Sequence, residues 1–524
     1  MFAAANNCGW TSSLPPRTAH PPAETPNTRT MMTPTAPSAR HTSAAASEPR
    51  TLRRAGLGTA DLVFFVVAAA APLTVVAGVV PLAIRTGGES AAYGYLVPAV
   101  VLILFAVGFT AMSPRIKNAG AFYSYITHGI GKPFGVGSAL LAVVSYNAMT
   151  ICLVAGFAVY AQNMLASLFG LSVNWVILAA FAVVGIALLG YFKVTLGAKV
   201  LGIALALEVA VLVIYEVFML GQGGSGDIAE TVAIFNPAVM ADPGFGAMLV
   251  LTAGGFIGFE ATAIYAEEVK DPKRTVPRAT YIAIAFLGVF YTFSVWCIFA
   301  AYGTQGALEA AASDDVALLT FASMEQFVGP WLSDFSQLLL CTSAFAAALA
   351  FHNAASRYHF TLAREGILPR GIARISRAHG SPVGGVALQI AICVVVLGFA
   401  ALAGADPYLV VFLWSAAPGV LGILLLEGIA AIAVVAFFLR DRHGHSVWRV
   451  IVAPVLAAIG LFVFVGLSVS QLELLTAAEP FVNVLLLVPI PLAIVAGIVI
   501  ALVLRSRRPQ RYAALNTVDV DAEG

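Results

Sequence analysis

The chain has 524 residues, 60% of them hydrophobic and 10% charged, with a formal net charge of +1 and a mean hydropathy of +0.90. Soluble domains carry about 25% charged residues, so the composition excludes a soluble globular core and points to an all-α integral membrane protein. The five cysteines (Cys8, Cys152, Cys297, Cys341 and Cys393) have no metal-type spacing, and no His-Glu-x-x-His, Gly-x-Ser-x-Gly or phosphate-binding Lys-Ser/Thr loop occurs; neither a metal, a cofactor, an enzyme active site nor ATP-driven pumping is expected.

Residues 1–54 are rich in Pro, Ser, Thr and Ala without an apolar period and are predicted to form a disordered tail. No apolar stretch of signal-peptide type precedes Leu62, and Met31-Met32 offers an alternative start. Spans of ~20 apolar residues then follow at 62–84 and 90–114. Pro133–Phe192 carries no Asp, Glu, Lys or Arg; as one helix it would run about 90 Å, so it is read as two spans with a turn near Phe169–Asn174. Further spans are predicted at 200–220, 246–267, 279–303, 332–356, 383–403, 408–438, 447–468 and 483–504, twelve in all.

Basic residues alternate with this count. Arg50, Arg53 and Arg54, then Arg115, Lys117 and Lys132, Lys193 and Lys199, Lys270–Arg278, Arg357–Arg377, Arg440–Arg449 and Arg505–Arg511 fall on one side. The other side receives Arg85 together with Glu89, Asp227, Glu230, Asp242, Glu309, Asp314, Asp315, Glu325, Asp406, Glu473 and Glu479. The positive-inside rule places both termini in the cytoplasm, in a multi-pass plasma (inner) membrane protein. The basic segments are accounted for by topology and anionic lipid, and no nucleic-acid partner is expected.

Two spans look interrupted. Pro72 lies near the middle of the first, where it removes a helix bond. Gly254, Gly255 and Gly258 fall within five positions of the sixth, just before Glu260. Each glycine costs roughly 1 kcal/mol in a helix and a carboxylate in lipid ~3 kcal/mol. A broken helix explains both, because it exposes backbone groups that can hold an ion or a small zwitterion. Two broken spans of opposite direction, five spans apart, indicate an inverted 5+5 repeat.

Several stretches resemble the amino acid/polyamine/organocation (APC) superfamily of secondary transporters. Phe256–Glu260 followed by Glu267–Ala279 looks like its sixth-helix signature and loop. Asn353–Arg357 with Ala363–Pro369 resembles its post-helix-8 loop, and Ala119–Tyr125 its loop after helix 2. The resemblance implies a LeuT-like core of spans 1–10 (55–440), peripheral spans 11 and 12 (441–505) and a cytoplasmic C-terminal tail (506–524). It implies that Ala71, Pro72, Leu73 and Thr74, with Gly254, Gly255, Phe256, Ile257 and Gly258, grip a substrate's carboxylate and ammonium. Phe259, Glu260, Tyr146 and Asn147 complete the expected site. Two departures stand out. Relatives often carry glycines at the first break, and many carry an aromatic lid where this chain has Gly254, leaving room for a larger substrate or for a lid from Phe256 or Phe259.

Glu260 is expected either to receive an ammonium or to brace the unwound segment through backbone N–H groups. Glu208, inside the fifth span, is expected to take up and release a proton as the site opens and closes. Glu216 is expected to snorkel, Glu427 to accept an interhelical hydrogen bond and His352 to be structural. The predicted function is secondary transport of an amino acid or related amine by alternating access, as proton-coupled symport or exchange. The alternatives are another small organic solute (a polyamine or nucleobase) or a non-transporting sensor. The oligomeric state is not readable from the residues.

Overall fold

A computed structural model describes residues 58–116, 121–192, 198–224, 228–260, 269, 271–376 and 378–516. The tail expected at 1–54, the last part of the sixth span at 261–268, and Lys117, Lys193, Asp227, Lys270 and Arg377 lie outside them. The regular elements are helical: α1 (Thr59–Ala70), α2 (Val80–Gly87), α3 (Ala91–Met112), α4 (Ala121–Gly129), α5 (Lys132–Phe169), α6 (Trp175–Tyr191), α7 (Ala198–Gln222), α8 (Phe245–Gly254), α9 (Pro272–Tyr302), α10 (Leu319–Phe327), α11 (Pro330–Arg364), α12 (Val383–Leu402), α13 (Leu413–Arg440), α14 (Ala453–Ser470), α15 (Pro489–Arg507) and the short α16 (Pro509–Ala514). Among the described residues, nine helical segments are long and apolar enough to cross a membrane, and α6, α8 and Val316–Phe327 are shorter apolar helices.

Local chemistry sets the boundaries. The charge-free stretch splits as expected: Gly170, at φ +63°, ends α5, and the Asn174 side chain caps α6 by accepting the Val176 N–H at 2.9 Å. α9 begins seven residues before the expected 279, because Pro272 occupies a first-turn position where its missing N–H costs nothing. α11 runs to Arg364, eight residues past the expected 356, because polar residues such as Arg357 and His359 continue a helix although they end the apolar run.

Lipid tails offer helices no hydrophobic reason to associate, so close packing of small residues takes that role. Gly137 of α5 and Gly497 of α15 bring backbones together; a Cβ added at Gly497 would lie 2.5 Å from the Gly137 Cα. α5 is the central element, packed against α11, α13, α15, α6 and α4. One end of the bundle gathers basic residues. There Lys132 donates to the carbonyls of Tyr512 (3.0 Å) and Ala513 (2.6 Å), and Arg440 to those of His128 (3.1 Å) and Gly129 (3.0 Å). At the opposite end Arg85 donates to the Ser313 carbonyl at 3.1 Å.

Candidate functional site

The first span is interrupted by backbone conformation rather than bent. Ala71 sits at φ +50°, a left-handed conformation that a non-glycine residue adopts at a cost of about 1–3 kcal/mol. Pro72 follows, and Thr74–Val79 winds as a π-helix before α2 starts. The groups this frees are met by side chains from distant helices. Tyr291 donates to the Ala70 carbonyl (3.4 Å), Thr320 to Val76 (3.2 Å) and Tyr408 to Gly78 (2.7 Å).

The second interruption follows α8. Residues 255–260 form successive turns, and Gly258 stands at φ +117°, which a side chain would strain. Glu260 is 3% exposed and accepts the Gly258 N–H at 2.7 Å and the Tyr146 hydroxyl at 3.0 Å. Each carboxylate oxygen thus has a donor, and one of the two donors is a backbone N–H of the break.

The breaks face one another across a cavity of about 60 Å³, room for a few waters. Ala71 and Thr74 line it from the first break and Gly254, Gly255 and Ile257 from the second. Pro72, Leu73, Phe256, Gly258, Phe259, Glu260, Tyr146 and Asn147 stand outside its lining. Phe256 packs against Tyr95 (centroids 6.4 Å apart) and Tyr291 (6.0 Å), and Phe259 against Phe105 (5.9 Å). The aromatic rings at the cavity are instead Phe351 of α11 and Phe412, just before α13. Phe412 lies in an uninterrupted apolar run and Phe351 beside His352-Asn353, and neither has a local signal to separate it from packing residues. Tyr146 braces from beside the cavity, stacked on Tyr358 (5.5 Å) and against Phe351 (5.9 Å). Asn147 donates to the Val143 carbonyl at 2.7 Å and lies 3.2 Å from His359 Nε2.

Glu208 of α7 reaches the first break directly. It is 5% exposed and accepts the Leu73 N–H at 3.3 Å. Ser343 of α11 accepts from Thr74 Oγ1 at 3.0 Å. The buried carboxylate is thus tied to the first break at Leu73, next to Thr74, which lines the cavity.

The other intramembrane carboxylates differ. Glu216 is 3% exposed and bonded by Ser294, so it is buried between helices rather than snorkelling. Glu427 is 1% exposed, and its Oε2 has no hydrogen-bond partner among the described residues, so the interhelical bond expected of it is not made there. His352 pairs with Gln389, as a structural residue does.

A profile of the amino acid permease family matches residues 57–490. The chain belongs to the amino acid permease family. It is similar to the branched-chain amino acid permease BcaP of Lactococcus lactis subsp. cremoris, 26% identical over 421 residues that cover 74% of this chain and 84% of the relative. It is also similar to the low-affinity putrescine importer PlaP of Escherichia coli, 23% identical over 292 residues (53% of this chain, 61% of the relative). An uncharacterized transporter, Rv1999c of Mycobacterium tuberculosis, is 26% identical over 336 residues (62% and 70%). The permease is accordingly a multi-pass membrane transporter of small molecules rather than an enzyme.

Proposed function

We propose that this permease is a secondary transporter of small aliphatic amino acids, built as twelve spans on an inverted 5+5 repeat of LeuT-like form and working by alternating access. The observation that carries this reading is the pair of interrupted helices enclosing one cavity. Backbone N–H and C=O groups at Ala71–Thr74 and Gly254–Gly258 take the substrate's carboxylate and ammonium, as helix-terminal dipoles favour.

The lining selects the side chain. Val75, Leu251, Ile257, Ala347 and Val420 offer apolar surface, and no carboxylate is among the lining residues described. A second ammonium, as in putrescine, would be buried there unpaired at a cost of several kcal/mol. The L. lactis relative named for branched-chain amino acids supports the same class. A cavity of about 60 Å³ is a closed state, and opening toward either side enlarges it.

Coupling runs through Glu208. Protonation neutralises a carboxylate that bonds the first break at Leu73, so proton occupancy biases the conformation of the substrate site. The basic end faces the cytoplasm, as the positive-inside rule requires, with both termini there and the protein in the plasma membrane. Residues 55–440 form the transport core and 441–505 the peripheral spans.

The test is a thermal-shift screen of the purified protein against amino acids, polyamines and nucleobases, followed by counterflow in liposomes. Valine-sized amino acids are expected to stabilise the fold by mass action and to exchange across the bilayer. Stabilisation by a diamine or nucleobase alone would refute the substrate class, and binding without counterflow would make the protein a sensor.

A further inference from the structure

A larger cavity lies away from the helix breaks. It is a groove of about 590 Å³ between α13 and α14, lined by Ile432, Val435, Val455, Ile459, Phe462 and Val463. Its walls are hydrocarbon, and it opens outward: Ile459 is 56% exposed and Val463 50%. Neither break contributes a residue to it, so it is no part of the substrate site.

The groove points toward the basic end. Arg440 closes α13 five residues past Val435, and Arg449 precedes Val455 by six, so both stand about 8–9 Å along the helix axes from the groove. The connection between α13 and α14 folds back, its segment Trp448–Val452 packed on α3 and α13. Trp448 is 54% exposed, as an aromatic ring at a membrane–water boundary is.

This corner gathers cations. Arg440 is committed to the carbonyls that end α4. Arg115 lies 5.6 Å above the Phe438 ring and 3.1 Å from His445 Nε2. Burial holds His445 below its usual pKa, and Arg449 and Arg115 push in the same direction. A guanidinium only donates, so His445 Nε2 is the acceptor of the Arg115 N–H. Asp441, the one acidic residue between Arg440 and Arg449, is paired with His443 at 3.0 Å. Arg115, Arg442 and Arg449 make no ion pair with a carboxylate among the described residues.

We infer that an anionic phospholipid occupies this groove, with an acyl chain against the α13–α14 wall and its phosphate on Arg115, Arg442 and Arg449. Guanidiniums match phosphate oxygens in geometry as well as charge. An apolar slot with a cationic rim at headgroup depth has the two-part chemistry of a single lipid molecule. A zwitterionic lipid fits the slot equally but gains less at the rim. The occupant spans the seam between the last core helix and the first peripheral one, so it fastens α14 to α13.

The experiment uses the full-length protein in detergent, titrated with phosphatidylglycerol or phosphatidylcholine and examined by native mass spectrometry. The wild type is expected to retain phosphatidylglycerol in preference to phosphatidylcholine. Double substitution Arg442→Gln/Arg449→Gln is expected to weaken phosphatidylglycerol retention about 30-fold, at roughly a factor of five per surface cation, and to weaken phosphatidylcholine retention less. Ile459→Trp, which fills the slot, is expected to reduce retention of both lipids. Val463→Trp replaces it should Ile459→Trp fail to give a monodisperse protein. Equal retention of the two lipids by the wild type, or unchanged retention in the arginine variant, overturns the proposal. Disulfide-linked dimers of Ile459→Cys formed in native membranes would also overturn it, by showing a second copy in the groove.

Discussion

The Leu73 N–H donates to Glu208 Oε2 at 3.3 Å, joining residues 135 positions apart in the chain. A backbone group freed by the break in the first span is thus answered by a carboxylate on α7. The next residue, Thr74, lines the cavity. If Glu208 carries the proton, as proposed, a change in its ionisation would reach the cavity through the Leu73 N–H.

Replacing Glu208 with Gln keeps an acceptor for the Leu73 N–H and removes the titrating group. Uptake driven by a pH gradient is expected to fall at least tenfold, the effect of about 1.4 kcal/mol of lost coupling, while counterflow at equal pH persists. Proteoliposomes carrying labelled substrate measure both. Unchanged rate and unchanged pH dependence would remove Glu208 from the mechanism.

Ala71 tests the first break. Its φ of +50° suits glycine, so Ala71→Gly is expected to be neutral, or stabilising by up to about 1 kcal/mol. Ala71→Val adds a β-branch in a conformation such residues avoid and is expected to destabilise by about 2 kcal/mol and to abolish uptake. Melting temperature and transport should both fall in Ala71→Val and both hold in Ala71→Gly. A tolerated valine would mean that the left-handed turn is not needed.

At the second break, Glu260→Ala leaves the Gly258 N–H and the Tyr146 hydroxyl without their acceptor, at about 1–3 kcal/mol for each buried donor. Tyr146→Phe leaves one buried group, Glu260 Oε1, without its partner where Glu260→Ala leaves two, and is expected to cost about 1–3 kcal/mol. Thermal melting should therefore rank wild type above Tyr146→Phe above Glu260→Ala. If Glu260→Ala melts like the wild type, the carboxylate is a ligand group and not a brace.

Gly254 sets the reach of the cavity. A Cβ there would lie 3.0 Å from Val420 Cγ2, so Gly254→Ala forces a slight shift of that side chain and should reduce affinity modestly. Gly254→Trp restores an aromatic ring at the position where many relatives of the superfamily carry one. Within a cavity of about 60 Å³ the ring is expected to exclude branched side chains and leave glycine or alanine as the only effective competitors. Competition assays with amino acids of graded size read this directly.

The C-terminal segment gives a pH prediction outside the membrane. Asn516 N–H donates to Glu365 Oε1 at 3.0 Å and the Tyr123 hydroxyl to Oε2 at 2.6 Å, while Lys132 holds the carbonyls of Tyr512 and Ala513. Burial raises the pKa of Glu365, opposed in part by Tyr123, Asn516, Lys132 and Arg364. Docking that raises an acid's pKa is strongest below the free value, about 4.3, and weakens as pH rises through the docked value. Hydrogen exchange at residues 509–516 is therefore expected to quicken with pH beyond the intrinsic chemical rate. Glu365→Gln should abolish the excess. The same excess in that variant would assign the effect to another group.

Much of this protein follows from composition and one-dimensional pattern. Apolar length dictates helices, because a backbone in lipid must satisfy its own hydrogen bonds. Charge-free Pro133–Phe192 had to turn, and the turn falls at Gly170–Asn174, where a left-handed glycine and a side-chain cap supply the local chemistry. The two breaks were legible because a proline or clustered glycines in the middle of a span are poor helix residues.

What joins across the bundle was decided by packing alone. Nothing near Leu73 marks its N–H as the partner of Glu208, and Phe412 has the same apolar neighbours as rings that never see the cavity. Their roles depend on which way a helix face turns once α5, α11 and α13 lock together through small residues, and that rotation is set by contacts between distant segments. The sequence by itself determined that the chain spans the membrane and where two of its helices give way. The tertiary structure decided that those two interruptions close one cavity, and that a buried glutamate from a third helix holds one of them.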